Sequence, residues 1–201
     1  MRADDEHGYT IVESLIAIFI LTVASVGFYS VMFAGTRASQ TTEDVVRVSE
    51  EARSGLNRMI RDTREGQLFS SLASDSYNVR IDFDGDGIYK NPNSVGDYES
   101  LSFTYHPSDK TIRLNNEVLV RGVELITGTP LFSYTSNDLR YDWDGNGVTT
   151  QAELGEAGTR GYAGVSASDT SLYSNVHFAF RIRVGERASD FRGQAQLRNR
   201  R

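Results

Sequence analysis

Ser14 to Ala34, SLIAIFILTVASVGFYSVMFA, is a block of 21 residues without a charge. As a helix it would be about 31 Å long, which matches the hydrocarbon core of a bilayer. Thr22, Ser25 and Ser30 can return their hydroxyls to the preceding turn, and Gly27 is tolerated in a membrane helix. A cleaved secretory signal has a shorter apolar core followed by a small-residue cleavage site. Here the run is longer and the helical pattern continues past it. Two readings remain: a plain single-pass anchor, or a helix that packs with helices of other subunits. Glu13, at the entrance to the block, bears on the choice. A carboxylate entering a membrane is costly and normally has a partner. A cut after Gly8 would give Tyr9 a free amine one helical turn before Glu13. Subunits stacked with an axial stagger could then pair that amine with Glu13 of the next copy, and such a pair specifies register because breaking half of it strands a charge.

Helical periodicity continues beyond the membrane-length block. Between Thr41 and Glu65, Val45, Val48, Ala52, Leu56, Met59, Ile60 and Thr63 recur at three- and four-residue steps, with charges on the other faces. No proline interrupts this stretch, Gly55 weakens it by about 1 kcal/mol relative to alanine, and Gly66 is a stop signal. The expected element is one long helix of roughly 55 residues from Tyr9; two helices hinged near Gly35 are the alternative.

Gly8-Tyr9-Thr10-Ile11-Val12-Glu13, followed by the apolar run, resembles the class III signal of type IV prepilins and pseudopilins. The resemblance implies that prepilin peptidase cuts after Gly8 and methylates Tyr9, and that Glu13 guides assembly. It implies a subunit held in membrane lipid before assembly and then packed through its N-terminal helix against other pilins or pseudopilins, with an inner-membrane assembly platform as partner and cytoplasmic machinery supplying the energy. The head would lie outside the cytoplasm, in the periplasm or on a surface filament. Two features depart from the family pattern: tyrosine stands where phenylalanine or methionine is usual, and Asp4, Asp5 and Glu6 occupy a leader that is commonly basic.

The expected organisation is a leader over 1–8, a membrane or filament-core helix over 9–35, an amphipathic stalk over 36–66 and a β-rich head over 67–201. After Gly66 the pattern changes to period two. Ser100–His106 and Lys110–Leu114 alternate around a Pro107-Ser108-Asp109 turn, Val118–Thr127 and Leu131–Thr135 read as strands, and Asn175–Val184 is the cleanest strand. Gln194–Leu197 would be a last short one, and the Gly-, Ala- and Ser-rich stretch over 155–170 a surface loop. The fold class expected is α+β, a long N-terminal helix packed on an antiparallel sheet. This order of elements also resembles minor pilins of the W type and J-type pseudopilins of type II secretion.

Asp142-Trp143-Asp144-Gly145-Asn146-Gly147-Val148-Thr149-Thr150-Gln151-Ala152-Glu153 matches a calcium loop position by position. Asp142, Asp144, Asn146 and Glu153 supply side-chain oxygens at positions 1, 3, 5 and 12, Val148 a backbone carbonyl at position 7, and Gly147 stands where the sharp turn demands glycine. A hard cation needs six to eight oxygens around one point, and this spacing wraps them there. An acidic β-turn that happens to carry glycines is the alternative. Asp82, Asp84, Asp86 and Ile88 repeat the first half, but position 12 is Asn93, so a second calcium and a plain turn both stay open; Asp97 or Glu99 could complete its shell. The flanks are strand-like, so the expectation is a Ca2+ loop set into a β-rich head.

There is no cysteine, which excludes disulfides and thiolate metal sites. A formal charge of −6 argues against nucleic-acid binding driven by bulk electrostatics. His7, His106 and His177 have no nucleophile motif around them, and no phosphate-binding glycine motif occurs, so no catalytic residue is assigned. The functional expectation is a structural filament subunit; the alternative is a membrane-anchored calcium-binding adhesin or receptor that never polymerises.

Overall fold

A computed structural model describes residues 10–82, 85 and 99–198, apart from the side chain of residue 41. Gly8, Tyr9, Asp84, Asp86 and Ile88 lie outside the described residues. The chain divides into two units, Met1–Val46 and Arg47–Arg201.

The long helix α1 spans Ile11–Glu65 without a break at Gly35. Its start is set locally. Thr10 accepts the Glu13 backbone N–H on its side-chain oxygen at 3.2 Å, and its carbonyl accepts the Ser14 N–H at 3.1 Å. Thr10-x-x-Glu13 is thus one half of a capping box. An acid in the first turn also suits the helix dipole. Among the described residues of the first unit the apolar block is exposed: Ile11 is 82% exposed, Phe19 70% and Val31 74%. Thr22, Ser25 and Ser30 donate their hydroxyls to the carbonyls of Ile18, Leu21 and Val26, as the sequence predicts. This is a helix long and apolar enough to cross a membrane.

In the second unit, Ala52, Leu56, Met59 and Thr63 form the buried stripe of α1, with Val48 and Ile60 at its flanks. Ten strands follow. Sheet one runs β1 (Leu68–Leu72), β2 (Ser76–Arg80), β3 (Ser100–His106), β4 (Thr111–Leu114) and β5 (Glu117–Val120) in sequence order. Sheet two has the order β10 (Arg187–Gln196), β9 (Asn175–Val184), β7 (Phe132–Ser136) and β8 (Thr149–Thr150), with β6 (Val123–Glu124) also on β9. Every pairing among the described strands is antiparallel.

The α+β class and the antiparallel pairing match expectation, but the strands form two sheets where one is expected. The reason lies in residues 118–127. They read as a single strand; instead β5 pairs with β4 in sheet one and β6 with β9 in sheet two. Gly122, at φ +68°, takes the left-handed conformation that turns the chain between them. Aromatic rings from both sheets then meet in one core: Tyr77 and Phe103 from sheet one, Phe132 and Phe178 from sheet two. α2 (Gln151–Glu156) is a short helix directly after β8.

Candidate metal site

The site is the connection from β7 to α2. Leu139–Tyr141 forms one turn of 3-10 helix, capped by Asp138, whose side chain accepts the Arg140 N–H at 3.2 Å. From Asp142 the chain wraps around that residue's carboxylate. Oδ1 accepts the N–H groups of Gly145 at 2.8 Å and Asn146 at 3.2 Å, and Oδ2 accepts that of Gly147 at 2.8 Å. Gly145 and Gly147 both have positive φ, +72° and +89°, so any other residue at either position would strain the wrap. Asp144 continues the pattern, accepting from the Asn146 N–H at 3.0 Å and from its side-chain amide at 2.8 Å. Asn146 Oδ1 accepts the Val148 N–H at 2.9 Å.

Glu153 closes the ring from α2. Thr150 and Glu153 make a full capping box: the Glu153 N–H donates to Thr150 Oγ1 at 3.4 Å and the Thr150 N–H to Glu153 Oε2 at 2.8 Å. The Thr150 hydroxyl donates to the same Oε2 at 2.8 Å, and the Trp143 N–H donates to Oε1 at 2.9 Å. The Trp143 indole N–H reaches the Glu153 carbonyl at 3.0 Å. The carboxyl of Glu153 therefore faces the loop. One carboxylate oxygen from each of Asp142, Asp144 and Glu153 lies within 4.8 Å of the others. Two oxygens on opposite sides of a calcium-sized ion are at most about 5 Å apart, from ligand distances of about 2.3–2.6 Å, so the three fit one shell.

Lone-pair counting shows what remains for a ligand. Oε2 of Glu153 and Oδ1 of Asp142 each accept two hydrogen bonds and are full. Oε1 of Glu153, Oδ2 of Asp142 and both oxygens of Asp144 accept one close hydrogen bond each, and the Asp144 backbone N–H adds a weaker contribution to the Glu153 carboxylate. Asn146 Oδ1 likewise accepts one. Each side chain assigned to the loop from sequence thus has an oxygen with no more than one close hydrogen bond, and the all-oxygen set suits a hard divalent cation over zinc or copper. The Gly147 N–H above all holds the Asp142 carboxyl below the usual carboxylate range, and the Thr150 N–H above all does so for Glu153. Both stay ionised at neutral pH. Their contribution to stability is full above the ordinary carboxylate pKa and is lost as pH falls through the lowered values.

Beside the loop, Tyr162 packs edge-on to Tyr141 at 5.2 Å between ring centres and on Trp143 at 5.6 Å, with the Arg160 guanidinium 4.9 Å from the centre of the Trp143 ring. This cluster is absent from the sequence reading, although Arg160 and Tyr162 fall in the segment expected to be an irregular loop. The Thr150 cap is also absent from it, even though Thr-x-x-Glu before a helical turn spells it out.

The second loop is described only at Asp82 and Gly85. Gly85, at φ +77°, donates its N–H to Asp82 Oδ1 at 2.7 Å, the same opening turn as Asp142–Gly145. His177 lies in β9, its Nε2 3.0 Å from the Thr135 hydroxyl, and burial lowers its pKa; His106 ends β3. No family model matches this chain, and no curated protein or solved structure matches it.

Proposed function

We propose that this chain is a pilin-like filament subunit, a minor pilin or pseudopilin of a type IV pilus or type II secretion-type assembly. The observation that carries the proposal is the contrast along α1. Its first half presents a membrane-length apolar surface that is exposed among the described residues of its own unit, and its second half buries a stripe in a β-rich unit. A helix with such a surface needs lipid or other helices around it. In this reading prepilin peptidase cuts after Gly8 and methylates Tyr9, the helix waits in the cytoplasmic membrane, and the assembly platform moves it into a filament of pilins. Glu13, at the first turn, meets the new amine of a neighbour. The test is N-terminal sequencing of assembled material. Tyr9 is expected as the first residue, and an assembled chain still beginning at Met1 rejects the proposal. Glu13→Ala is expected to cut assembled protein about tenfold or more, since removing one partner of a buried pair costs several kcal/mol, with membrane levels unchanged; a non-polymerising anchor would tolerate it.

The cation at the Asp142 loop is calcium in this reading, and it holds the head folded outside the cytoplasm, where calcium is plentiful. At ten times its Kd a ligand adds about 1.4 kcal/mol, or about 3–6 °C in Tm for a chain of this size. Trp143 is the sole tryptophan and bonds to Glu153 through both its backbone and its ring, so its emission reports occupancy. A saturable emission change with calcium and a matching rise in Tm are expected, both lost in Asp142→Ala. If the variant responds as the parent does, the assignment is wrong.

A further inference from the structure

Asn146-Gly147 is the only asparagine–glycine pair in the sequence. The pair is chemically labile. A glycine after asparagine has no β-carbon to crowd its nitrogen, so that nitrogen can reach the side-chain carbonyl carbon before it. The attack is intramolecular and needs only the right geometry. A bond forms between the Gly147 nitrogen and Asn146 Cγ, the Cγ–Nδ2 bond breaks, and ammonia leaves with the proton the Gly147 nitrogen gives up. Water then opens the cyclic imide. Addition at Cγ leaves aspartate at position 146. Addition at the backbone carbonyl leaves isoaspartate, with the main chain rerouted through the side chain and one carbon longer.

Both residues are exposed, so burial does not shield them from water. Hydrogen bonds hold the reacting groups apart instead. The Gly147 N–H donates to Asp142 Oδ2 at 2.8 Å, and removing its proton there would set an anionic nitrogen beside a carboxylate. Asn146 Oδ1 accepts the Val148 N–H at 2.9 Å, one residue beyond the nitrogen that attacks. Nδ2, the leaving group, donates to Asp144 Oδ2 at 2.8 Å. The Asn146 N–H donates to Asp142 and Asp144 as well, so residue 146 cannot turn toward its neighbour without breaking the wrap. Nucleophile, carbonyl and leaving group are each engaged elsewhere.

We infer that Asn146 is a deamidation site that the closed loop protects and loop opening exposes. Regulation by the cation rests on the calcium reading above: an ion held by Asp142, Asp144 and Glu153 keeps the loop closed, so chains that have lost it are the ones modified. The two products differ in consequence. Aspartate keeps an oxygen at the fifth loop position. It also replaces the Nδ2 donor that faces Asp144 with a second carboxylate, so the loop repels itself unless a cation sits between them. Isoaspartate lengthens the wrap between Asp144 and Val148 and moves the carboxylate from its place. Neither product reverts, so time spent open is recorded in the chain.

Trypsin cuts after Arg140 and Arg160, and the peptide between them holds Asn146 as its only asparagine. Full-length chain in detergent is aged at one mildly alkaline pH, folded with chelator, folded with calcium, or unfolded in urea. Mass spectrometry then follows conversion of amide to acid in that peptide. The folded chain in chelator is expected to react at least about tenfold more slowly than the chain in urea, because only the open loop reacts. Equal rates overturn the proposal. Calcium at ten times its Kd is expected to slow the folded chain about tenfold further, by depleting the open form. If Trp143 emission shows calcium bound and the rate does not move, regulation by the cation is overturned. If neither responds, the calcium reading fails, and protection by the loop is still decided by the comparison with urea. Asp142→Ala removes the acceptor of the Gly147 N–H and is expected to raise the rate in chelator to within about threefold of that in urea, with near-UV circular dichroism of the β-rich unit retained. A variant that keeps that signal and reacts no faster than the parent overturns the proposal.

Discussion

Tyr77→Ala is expected to lower the stability of the folded β-rich unit by about 3–5 kcal/mol, the range for removing a large aromatic from a core. Tyr77 is fully buried at the junction of both sheets. Its ring stacks on Phe103 at 4.8 Å, meets Phe132 edge-on at 4.9 Å and lies 6.0 Å from Phe178. Two of those rings belong to sheet two, so the deletion opens a void between the sheets rather than within one. Its hydroxyl lies 2.9 Å from that of Thr63 on α1, also fully buried. Burial pushes the phenol well up in pKa, so it stays neutral and available for that bond. Tyr77→Phe separates the two contributions. It keeps the ring and strands the Thr63 hydroxyl, at a cost of about 1–3 kcal/mol, toward the low end because a helical threonine can turn back to its own preceding carbonyl. Chemical denaturation of the full chain in detergent, followed by near-UV circular dichroism, measures both. A loss below about 1 kcal/mol for the alanine variant would contradict the two-sheet core as described.

The parts of the fold legible in sequence are those where one period dominates. α1 ends at Glu65, one residue before the Gly66 stop signal, and β3 and β9 coincide with the alternating runs over 100–106 and 175–184. β1 and β2 give no such signal. LFSSL and SYNVR are short and serine-rich, and each buries at most two residues. β10, RASDFRGQAQ, buries only Phe191 and Ala195 because it is the sheet's edge, so only its tail reads as strand. The split into two sheets depends on the backbone at Gly122, which composition does not reveal. At the metal site the spacing of Asp142, Asp144 and Glu153 is enough to bring them together. What the spacing does not convey is that Glu153 serves two masters, capping α2 with one oxygen while the other, with one close hydrogen bond, faces the loop.

Gly55 tests whether α1 must lie as close to sheet one as it does. From sequence the glycine is a weak point, costing about 1 kcal/mol of helix propensity. In the fold it is a point of contact. A β-carbon placed there would stand 2.3 Å from Val120 Cγ2 and 2.8 Å from the Leu119 carbonyl oxygen, both on β5. The first neighbour is a branched side chain with little freedom, and the second is backbone at the bulge of the β4–β5 pairing, where the register skips Leu119 between paired Val118 and Val120. Gly55→Ala is therefore expected to destabilise by about 1–3 kcal/mol net of its propensity gain, and Gly55→Leu by more. A β-carbon at Gly193 on β10 would in turn meet Ile60 Cδ1 at 2.9 Å and Leu56 Cδ1 at 3.2 Å, so the helix cannot withdraw from one sheet without pressing on the other. A double-mutant cycle decides the cause. Val120→Ala removes the first obstruction and should recover part of the Gly55→Ala loss, a coupling of about 0.5–3 kcal/mol, while the Leu119 carbonyl retains the rest. If Gly55→Ala instead stabilises the protein, propensity governs this turn, and the close seating of α1 on β5 is not what holds the head to its helix.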